Sequence, residues 1–420
     1  MRDWPIRTIA ECAADEPYST QIGPFGKALT PDAYVPEGVP LLRGVNVNSG
    51  RFHDDDYVFI SEADADRLSK FESFPGDVLL VHKGSLGQIG LMPEQRRYPR
   101  YIMGNSMLRV KCDPTKLLPA YLRYWLQSPE GQHYLFSRVS QVGVPQIQRP
   151  LTTLREAALP VPPISEQEAI TDVLGSLDNK IEQNQRTAVT LKRLARAIFR
   201  AWFVDFEPVK AKAAGATEFL SIPQHIFDAL PSAFVESELG SIPQGWTVRE
   251  FGELFSLEYG KPLKAENRRF GEHPVLGSNG QIGWHDEALV PNAGIVIGRK
   301  GNPGTVLWVP TPFYPIDTTF YVVRKQGAPS LDMLYYFLDW AQLGRLSADS
   351  AVPGLNRNFV HREQCIIPQN VLVDCFAESI APVHKLIHLL DCEARKLSEL
   401  RDYMLLHLLS GKVRVRVRHG

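Results

Sequence analysis

Two histidines four residues apart, His384 and His388, have the spacing at which one helix face can present two imidazoles to a zinc ion. The pattern goes no further. His384 is followed by Lys385, so the glutamate of H-E-x-x-H is missing and no third ligand stands near. The five cysteines (Cys12, Cys112, Cys365, Cys375, Cys392) are scattered without a C-x-x-C pair, and read as reduced thiols rather than a zinc site or a disulfide framework. The pairs Gly26-Lys27, Gly260-Lys261 and Gly411-Lys412 lack the upstream glycine and the following Ser or Thr of a phosphate-cradling Walker A loop. The (Asn/Asp)-Pro-Pro-(Tyr/Phe) sequence with which an amino-methyltransferase holds its target amine is missing too; Asp113-Pro114-Thr115 and Asn302-Pro303-Gly304 come nearest and fail. No paired carboxylates and no Ser/His arrangement stand out. The expectation is a chain that binds, without catalytic, cofactor-binding or metal-ligating residues of its own.

The elements that would carry binding residues occur twice. Trp4-Pro5-Ile6-Arg7 opens the first half and Trp246-Thr247-Val248-Arg249 the second. Each half continues with an apolar run ending in a glycine turn, Val78-Leu79-Leu80-Val81-His82-Lys83-Gly84-Ser85-Leu86-Gly87 and Gly294-Ile295-Val296-Ile297-Gly298-Arg299-Lys300-Gly301-Asn302-Pro303-Gly304. Lys-Gly-x-x-Gly is shared, and apolar runs on both sides make the pattern strand, turn, strand. An aromatic-rich helix follows in each half, Pro119 to Leu126 and Leu331 to Leu338, with the helical spacing of core residues. Then come a Val-Pro turn (Val144-Pro145-Gln146-Ile147; Val352-Pro353-Gly354-Leu355) and an extended proline-containing segment (Leu159 to Pro163; Ile366 to Pro368).

Each half then runs into a long helix. Ser165 and Glu168 have the spacing of a capping box at the start of the first. Its apolar positions alternate by four and three: Ile170, Leu174, Leu177, Ile181, Asn184, Ala188, Leu191, Ala195, Ile198, Trp202. This is a heptad seam, with Asn184 placed as a polar register-setting residue, and Pro208 is expected to end it. The second seam runs Phe376, Ile380, Val383, Ile387, Leu390, Ala394, Leu397, Arg401, Met404, Leu408, and Gly411 is a natural stop. Pro382 is expected to kink or restart that helix. About 40 residues of helix span about 60 Å. The simplest partner for each seam is the other. The expected fold is α+β: two mixed α/β domains separated by two long antiparallel coiled-coil helices, with a pseudo-twofold internal repeat. The expected segments are residues 1–164, helix 165–208, a linker 209–240, residues 241–369, helix 370–411 and a basic tail 412–420.

Composition fits such a chain. Its 420 residues have room for two or three domains, and 44% hydrophobic with 22% charged residues is ordinary for a globular protein. No run approaches the ~18 apolar residues of a membrane span, and Met1-Arg2-Asp3-Trp4-Pro5 has no signal-peptide core. A cytoplasmic chain with no membrane partner is expected. The net charge of −1 argues against a polyanion as partner, but its distribution softens that. Lys83 to Arg155 holds eleven Lys/Arg against three Asp/Glu, whereas Asp54 to Asp77 is acid-rich, so a basic face is compatible with a neutral total.

Along nearly its whole length the chain resembles the specificity subunits of type I restriction-modification enzymes. The resemblance rests on an ordered set of words: Gly23-Pro24-Phe25-Gly26, Leu42-Arg43-Gly44-Val45-Asn46, Gly76-Asp77-Val78-Leu79-Leu80, Leu159-Pro160-Val161-Pro162-Pro163-Ile164-Ser165-Glu166-Gln167, Ile198-Phe199-Arg200-Ala201-Trp202-Phe203-Val204-Asp205-Phe206-Glu207-Pro208, and Glu238-Leu239-Gly240-Ser241-Ile242-Pro243-Gln244-Gly245-Trp246. The second half departs from the pattern at Asn370 to Cys375, where the first has Pro-Ile-Ser-Glu-Gln, leaving the start of the second helix open. The resemblance implies two target-recognition domains that each grip one half of a split site on double-stranded DNA, and helices that fix the spacer between halves. It implies two methyltransferase subunits docked on the helices and motor-nuclease subunits beyond them, with S-adenosylmethionine, ATP and magnesium on those partners rather than on this chain. The alternatives are a catalytic nuclease or methyltransferase, which the missing motifs oppose, and a coiled-coil adaptor that never reads DNA.

Base edges are read by Arg, Lys, Asn and Gln, and phosphates are held without regard to sequence. The DNA-contact candidates therefore lie in the glycine turns and polar loops: Arg43, Asn46, Lys83, Ser85, Gln88, Asn105, Gln146 and Gln148 in the first half, and Lys261, Lys264, Arg268, Asn279, Gln281, Lys300, Asn302, Asn356 and Arg357 in the second. Lys83 and Lys300 recur at equivalent positions, which suits a phosphate contact.

Overall fold

The two heptad-patterned segments form 40-residue helices, Ile164–Phe203 and Asn370–Leu409. They are seen in a computed structural model that describes residues 4–25, 29–48, 50–140, 143–347 and 354–415. The chain divides into two units, one of Met1–Glu182 with Arg395–Gly420 and one of Gln183–Ala394, so each unit takes part of each helix. In the first unit Ile170 and Leu174, near the start of the first helix, share a core with Leu405, Leu408 and Leu409 at the end of the second. In the second unit Phe199, Trp202 and Phe203, at the end of the first helix, share a core with Phe376 and Ile380 at the start of the second. The helices are antiparallel.

The seam falls where the heptads put it. Ile170, Leu174, Ile181, Asn184, Trp202, Ile380, Ile387 and Leu408 are buried, and Leu177, Leu191, Ile198, Val383, Leu390, Leu397 and Met404 are half-buried. Each fully buried aliphatic side chain contributes about 1.5–3 kcal/mol, so the seam holds the pair without help from surface charge.

Two details of the first helix differ from expectation, and in the second helix one of two expected alternatives is excluded. The first helix starts at Ile164, where the Pro163 carbonyl accepts from the amides of Glu166 and Gln167, so Ser165 lies inside the first turn rather than capping it. It ends at Phe203. Phe206 takes a left-handed conformation (φ 54°), and Pro208 sits in the first turn of a separate helix, Glu207–Ala213, where its missing amide costs nothing. The second helix continues through Pro382 without restarting.

The linker expected at 209–240 is instead folded. It contains the helix Gln224–Ala229 and the paired strands Phe234–Ser237 and Gly240–Pro243. Val209, Ile222, Ile226, Phe227 and Leu230 are buried in the core of the second unit. The Ala, Ser and Pro content masked this sparse apolar set. In the tail, Val413 and Val415 pack against the core of the first unit; residues 416–420 lie outside the described residues.

Both units repeat one topology. The first has an antiparallel sheet ordered Thr20–Ile22, Met107–Val110, Val78–Val81, Ile89–Leu91. The second has Phe255–Tyr259, Thr319–Arg324, Gly294–Gly298, Val306–Val309 in the same order and sense. A further sheet in each carries one parallel pairing, Val39–Leu42 with Ile102–Met103 and His273–Gly277 with Tyr314–Pro315. The opening strands Ile6–Thr8 and Thr247–Glu250 pair with the strands that precede the long helices, Ala158–Pro160 and Gln364–Ile367. The aromatic helices Pro119–Gln127 and Leu331–Trp340 bury Tyr121, Tyr124 and Trp125, and Met333, Leu334, Tyr336 and Phe337, as core.

Polar clamps seat the long helices. Buried Gln167 donates to the carbonyls of Lys116 and Pro162 and accepts from the Leu118 amide. Asp178 accepts from Tyr124 Oη at 2.7 Å, Arg123 at 3.3 Å and Arg401 at 3.1 Å. In the second unit, His384 Nδ1 lies 2.7 Å from Asp332 Oδ1 and its Nε2 2.9 Å from Tyr336 Oη. That is where one member of the zinc-spaced pair is used. Among the described residues no group of three or more His, Cys, Asp or Glu could hold a metal, and no helix is long and apolar enough to cross a membrane.

Candidate nucleic-acid interface

Each glycine turn is a tight excursion between two sheet strands. Gly84 and Gly87 in the first unit, and Gly301 and Gly304 in the second, have φ between 73° and 84°, a region that L side chains avoid. The turns close alike: the Gly87 amide donates to the Val81 carbonyl, and Gly304 to Gly298. Each turn is then crossed by a segment further along the chain, beyond the aromatic helix. Ile147 donates to the His82 carbonyl at 2.9 Å, and Leu355 to the Arg299 carbonyl at 2.9 Å. Lys83 faces Gln146, and Lys300 faces Gly354, in isolated bridges. Val352 and Pro353 lie outside the described residues.

This geometry gathers part of each candidate set. In the first unit Lys83, Ser85 and Gln146 are exposed together on the crossed turn. Exposed Asn105 is beside them, because the His82 amide donates to the neighbouring Ser106 carbonyl. Exposed Gln148 is two residues past Gln146, and Gln88 is half-buried at the base of the turn. In the second unit Lys300, Asn302, Asn356 and Arg357 are exposed around the equivalent turn. Lys261 approaches from the adjacent strand end, its amide bonded to the Pro315 carbonyl. Asn356 is partly committed, because its side chain caps the following helix at the Asn358 amide.

Other candidates are spent on the fold. Asn46 is fully buried; it accepts from the Arg43 amide and donates to the carbonyls of His53 and Asp55, which removes it as a DNA contact. Arg43 pairs with Asp56 across that loop at 3.2 Å. Arg268 is half-buried and donates to the Ile282 carbonyl, bracing a hairpin. Lys264 pairs with Glu266 at 3.7 Å, and Gln281 donates to the Gly283 carbonyl, both at the surface; Asn279 is exposed at the tip of that hairpin.

Sequence reasoning missed two residues. Arg299 precedes the shared lysine, and Tyr259, 48% exposed, ends the neighbouring strand. The Arg299 guanidinium lies 5.2 Å from the Tyr259 ring centre, and that of Arg357 lies 5.4 Å from it. At the register of Arg299 the first unit has His82, which is buried with neither ring nitrogen hydrogen-bonded among the described residues. Burial holds that imidazole's pKa below its ordinary value, so it is neutral at pH 7. One repeat therefore places a fixed cation where the other places a neutral ring.

A duplicated mixed α/β unit, each copy feeding a long helix, and a crossed glycine turn in each copy define a class. Residues 36–193 match the sequence model of the type I restriction modification DNA specificity domain, and over most of its length the chain is similar to type I restriction enzyme specificity subunits. Among these, the HindI specificity subunit of Haemophilus influenzae is 22% identical, covering 82% of this chain and 90% of the relative. The MjaIX specificity subunit of Methanocaldococcus jannaschii is 25% identical, over 86% of this chain and 84% of that one. The crystal structure of a type I restriction-modification S subunit from M. genitalium covers 97% of this chain and 96% of its own, with a TM-score of 0.57 at 17% identity, a likeness of fold.

Proposed function

We propose that this chain is the sequence-recognition subunit of a type I restriction-modification enzyme, reading a two-part target on double-stranded DNA with one repeat per part. The observation that carries this reading is the pair of crossed glycine turns. They present Lys83 and Lys300 at the same register, exposed, while the residues around them differ. A shared cation suits the phosphate backbone common to all DNA, and variable neighbours suit two different base sequences.

The chain itself is non-catalytic under this proposal. It assembles with two methyltransferase subunits, which carry S-adenosylmethionine, and with motor-nuclease subunits, which use ATP and magnesium. The long helices set the spacer between the two parts of the target.

The test is equilibrium binding of the full chain, alone and with co-expressed methyltransferase, to duplexes with and without the methylated motif at two ionic strengths. The expected result is motif-dependent binding that weakens steeply with salt. Binding that ignores both motif and salt would leave only a coiled-coil adaptor. Methyl transfer by the chain alone would overturn its non-catalytic role.

A further inference from the structure

Tyr259 packs against Phe320, its cross-strand partner, with ring centres 5.0 Å apart. The Arg299 guanidinium lies over both rings, 5.2 and 5.9 Å from their centres. Its Nε and Nη2 both donate to the Asp317 carbonyl, at 3.1 and 2.8 Å. A guanidinium has five N–H donors, so the far edge, Nη1 with the second hydrogen of Nη2, is left without a partner among the described residues. Among the described residues neither Arg299 nor Arg357 forms an ion pair with a carboxylate. The group is held in one plane by aromatic faces and a carbonyl, with no carboxylate paired to it among the described residues.

The other repeat shows that the turn does not need this arginine. With His82 at the same register, the backbone frame is unchanged: the residue donates to a neighbouring carbonyl (Ser106; Thr318 in the second unit) and accepts from the crossing loop. Tyr259 has Ile22 as its counterpart, since each pairs with the residue following the strand's contact to the turn (Phe320 and Leu108). The lysines are shared, and so is an arginine two residues past the crossing contact, Arg149 after Ile147 and Arg357 after Leu355. What the repeats share suits what every DNA has in common. What only one repeat has suits its own bases.

We propose that Arg299, clamped by Tyr259, Phe320 and the Asp317 carbonyl, reads a guanine in the major groove of the target part engaged by the second repeat, with Lys300 and Arg357 on the flanking phosphates. The paired donors on its far edge match the N7 and O6 acceptors of guanine, the commonest specific contact of an arginine. This assignment rests on the DNA-recognition reading above.

The experiment uses the full chain in its methyltransferase complex, with binding measured on a panel of duplexes each changed at one base pair, and the methylated motif read by sequencing. In Arg299→Lys and Arg299→Gln, discrimination should fall roughly ten- to a hundredfold at a single G·C pair in one part of the target. All other positions and the salt dependence should stay as in wild type. Tyr259→Leu, which leaves the arginine but removes its aromatic face, should weaken discrimination at the same pair and nowhere else; it also carries the test if the Arg299 variants fail to fold. Unchanged discrimination in these variants overturns the assignment and leaves Arg299 as a loop brace. An equal loss on every duplex with a shallower salt slope overturns it in favour of a phosphate contact. Wild-type complex that binds all duplexes alike sinks the recognition reading itself, which is a separate result.

Discussion

Asn184 Nδ2 donates to Glu393 Oε2 at 2.8 Å, joining the two long helices from inside a largely apolar seam. Asn184 is only 1% exposed, between Ile181 and Ala188, which are also buried. A polar residue at such a position costs stability and specifies register. Asn184→Ala is expected to lower unfolding free energy by about 1 kcal/mol, since Glu393 is exposed and water replaces the lost partner. Asn184→Leu is expected to raise it by a similar amount while loosening register, seen as mixed products when engineered cysteines across the seam are oxidised. Chemical denaturation checks the first effect. A single register in Asn184→Leu would show that the apolar side chains alone specify the pairing.

Asp178 is a different kind of polar residue on the same helix. It takes two guanidiniums and a phenol in one place, with side-chain exposures of 14% for Asp178, 13% for Arg123 and 28% for Arg401. Removing one partner of a largely buried cluster leaves uncompensated charge and typically costs about 3–5 kcal/mol. Asp178→Ala is expected to destabilise the first unit by about 3 kcal/mol, and Asp178→Asn by less, because the amide oxygen still accepts from Tyr124 and the arginines. Differential scanning calorimetry reads this as an earlier transition. An unshifted transition would show the cluster to be solvated in practice.

The contrast between these two residues shows what was legible in the sequence. Asn184 interrupts a periodic pattern, so its place in the seam could be read from spacing alone. Asp178 sits beside the seam position Leu177 and looks like one more solvated helix charge; its partners lie 54 to 223 residues away. Periodic apolar residues report burial, so both helices and the repeat were readable. Paired polar residues report contact only once the chain is folded, so Asn46 passed for a free loop amide and the Tyr259–Arg299 stack was invisible. The residues from Val209 to Leu230 failed for a third reason: an apolar set too irregular for either period was outweighed by loop-like composition.

Asp77 gives the clearest pH signature. It is fully buried, and burial pushes its pKa up to about 6 despite the Phe74 amide and Arg109, 3.7 Å away, which pull the other way. The same burial pulls the Arg109 pKa down. Asp77 Oδ1 has no hydrogen-bond partner among the described residues, as a carboxyl favouring its protonated form would. Between pH 3.8 and about 6 the folded chain holds a proton here that the unfolded chain has released, so this group's contribution to stability falls as pH rises through that window. Asp77→Asn removes the titration. The stability of wild type relative to Asp77→Asn should therefore decline from pH 4 to 6, by at most about 1.4 kcal/mol per pH unit. Urea denaturation of both proteins across that range measures it, and a difference that grows with pH would reverse the sign and refute the assignment.

Lys83 and Lys300 test the division between shared and private residues. Both are exposed on crossed glycine turns of the same geometry, so a substitution at either leaves the fold untouched. If each holds a phosphate, Lys300→Ala and Lys83→Ala should each weaken binding by a similar factor on every duplex. Each should also lower the slope of log affinity against log salt by about 1. The two sites lie in different units, so the double variant should lose about the sum of the two free energies. Titrations of the methyltransferase complex at several salt concentrations give all three slopes. Loss of preference at one base pair with an unchanged slope would mean that the repeated lysine reads sequence after all. In that case the residues the two repeats share would no longer mark the DNA backbone.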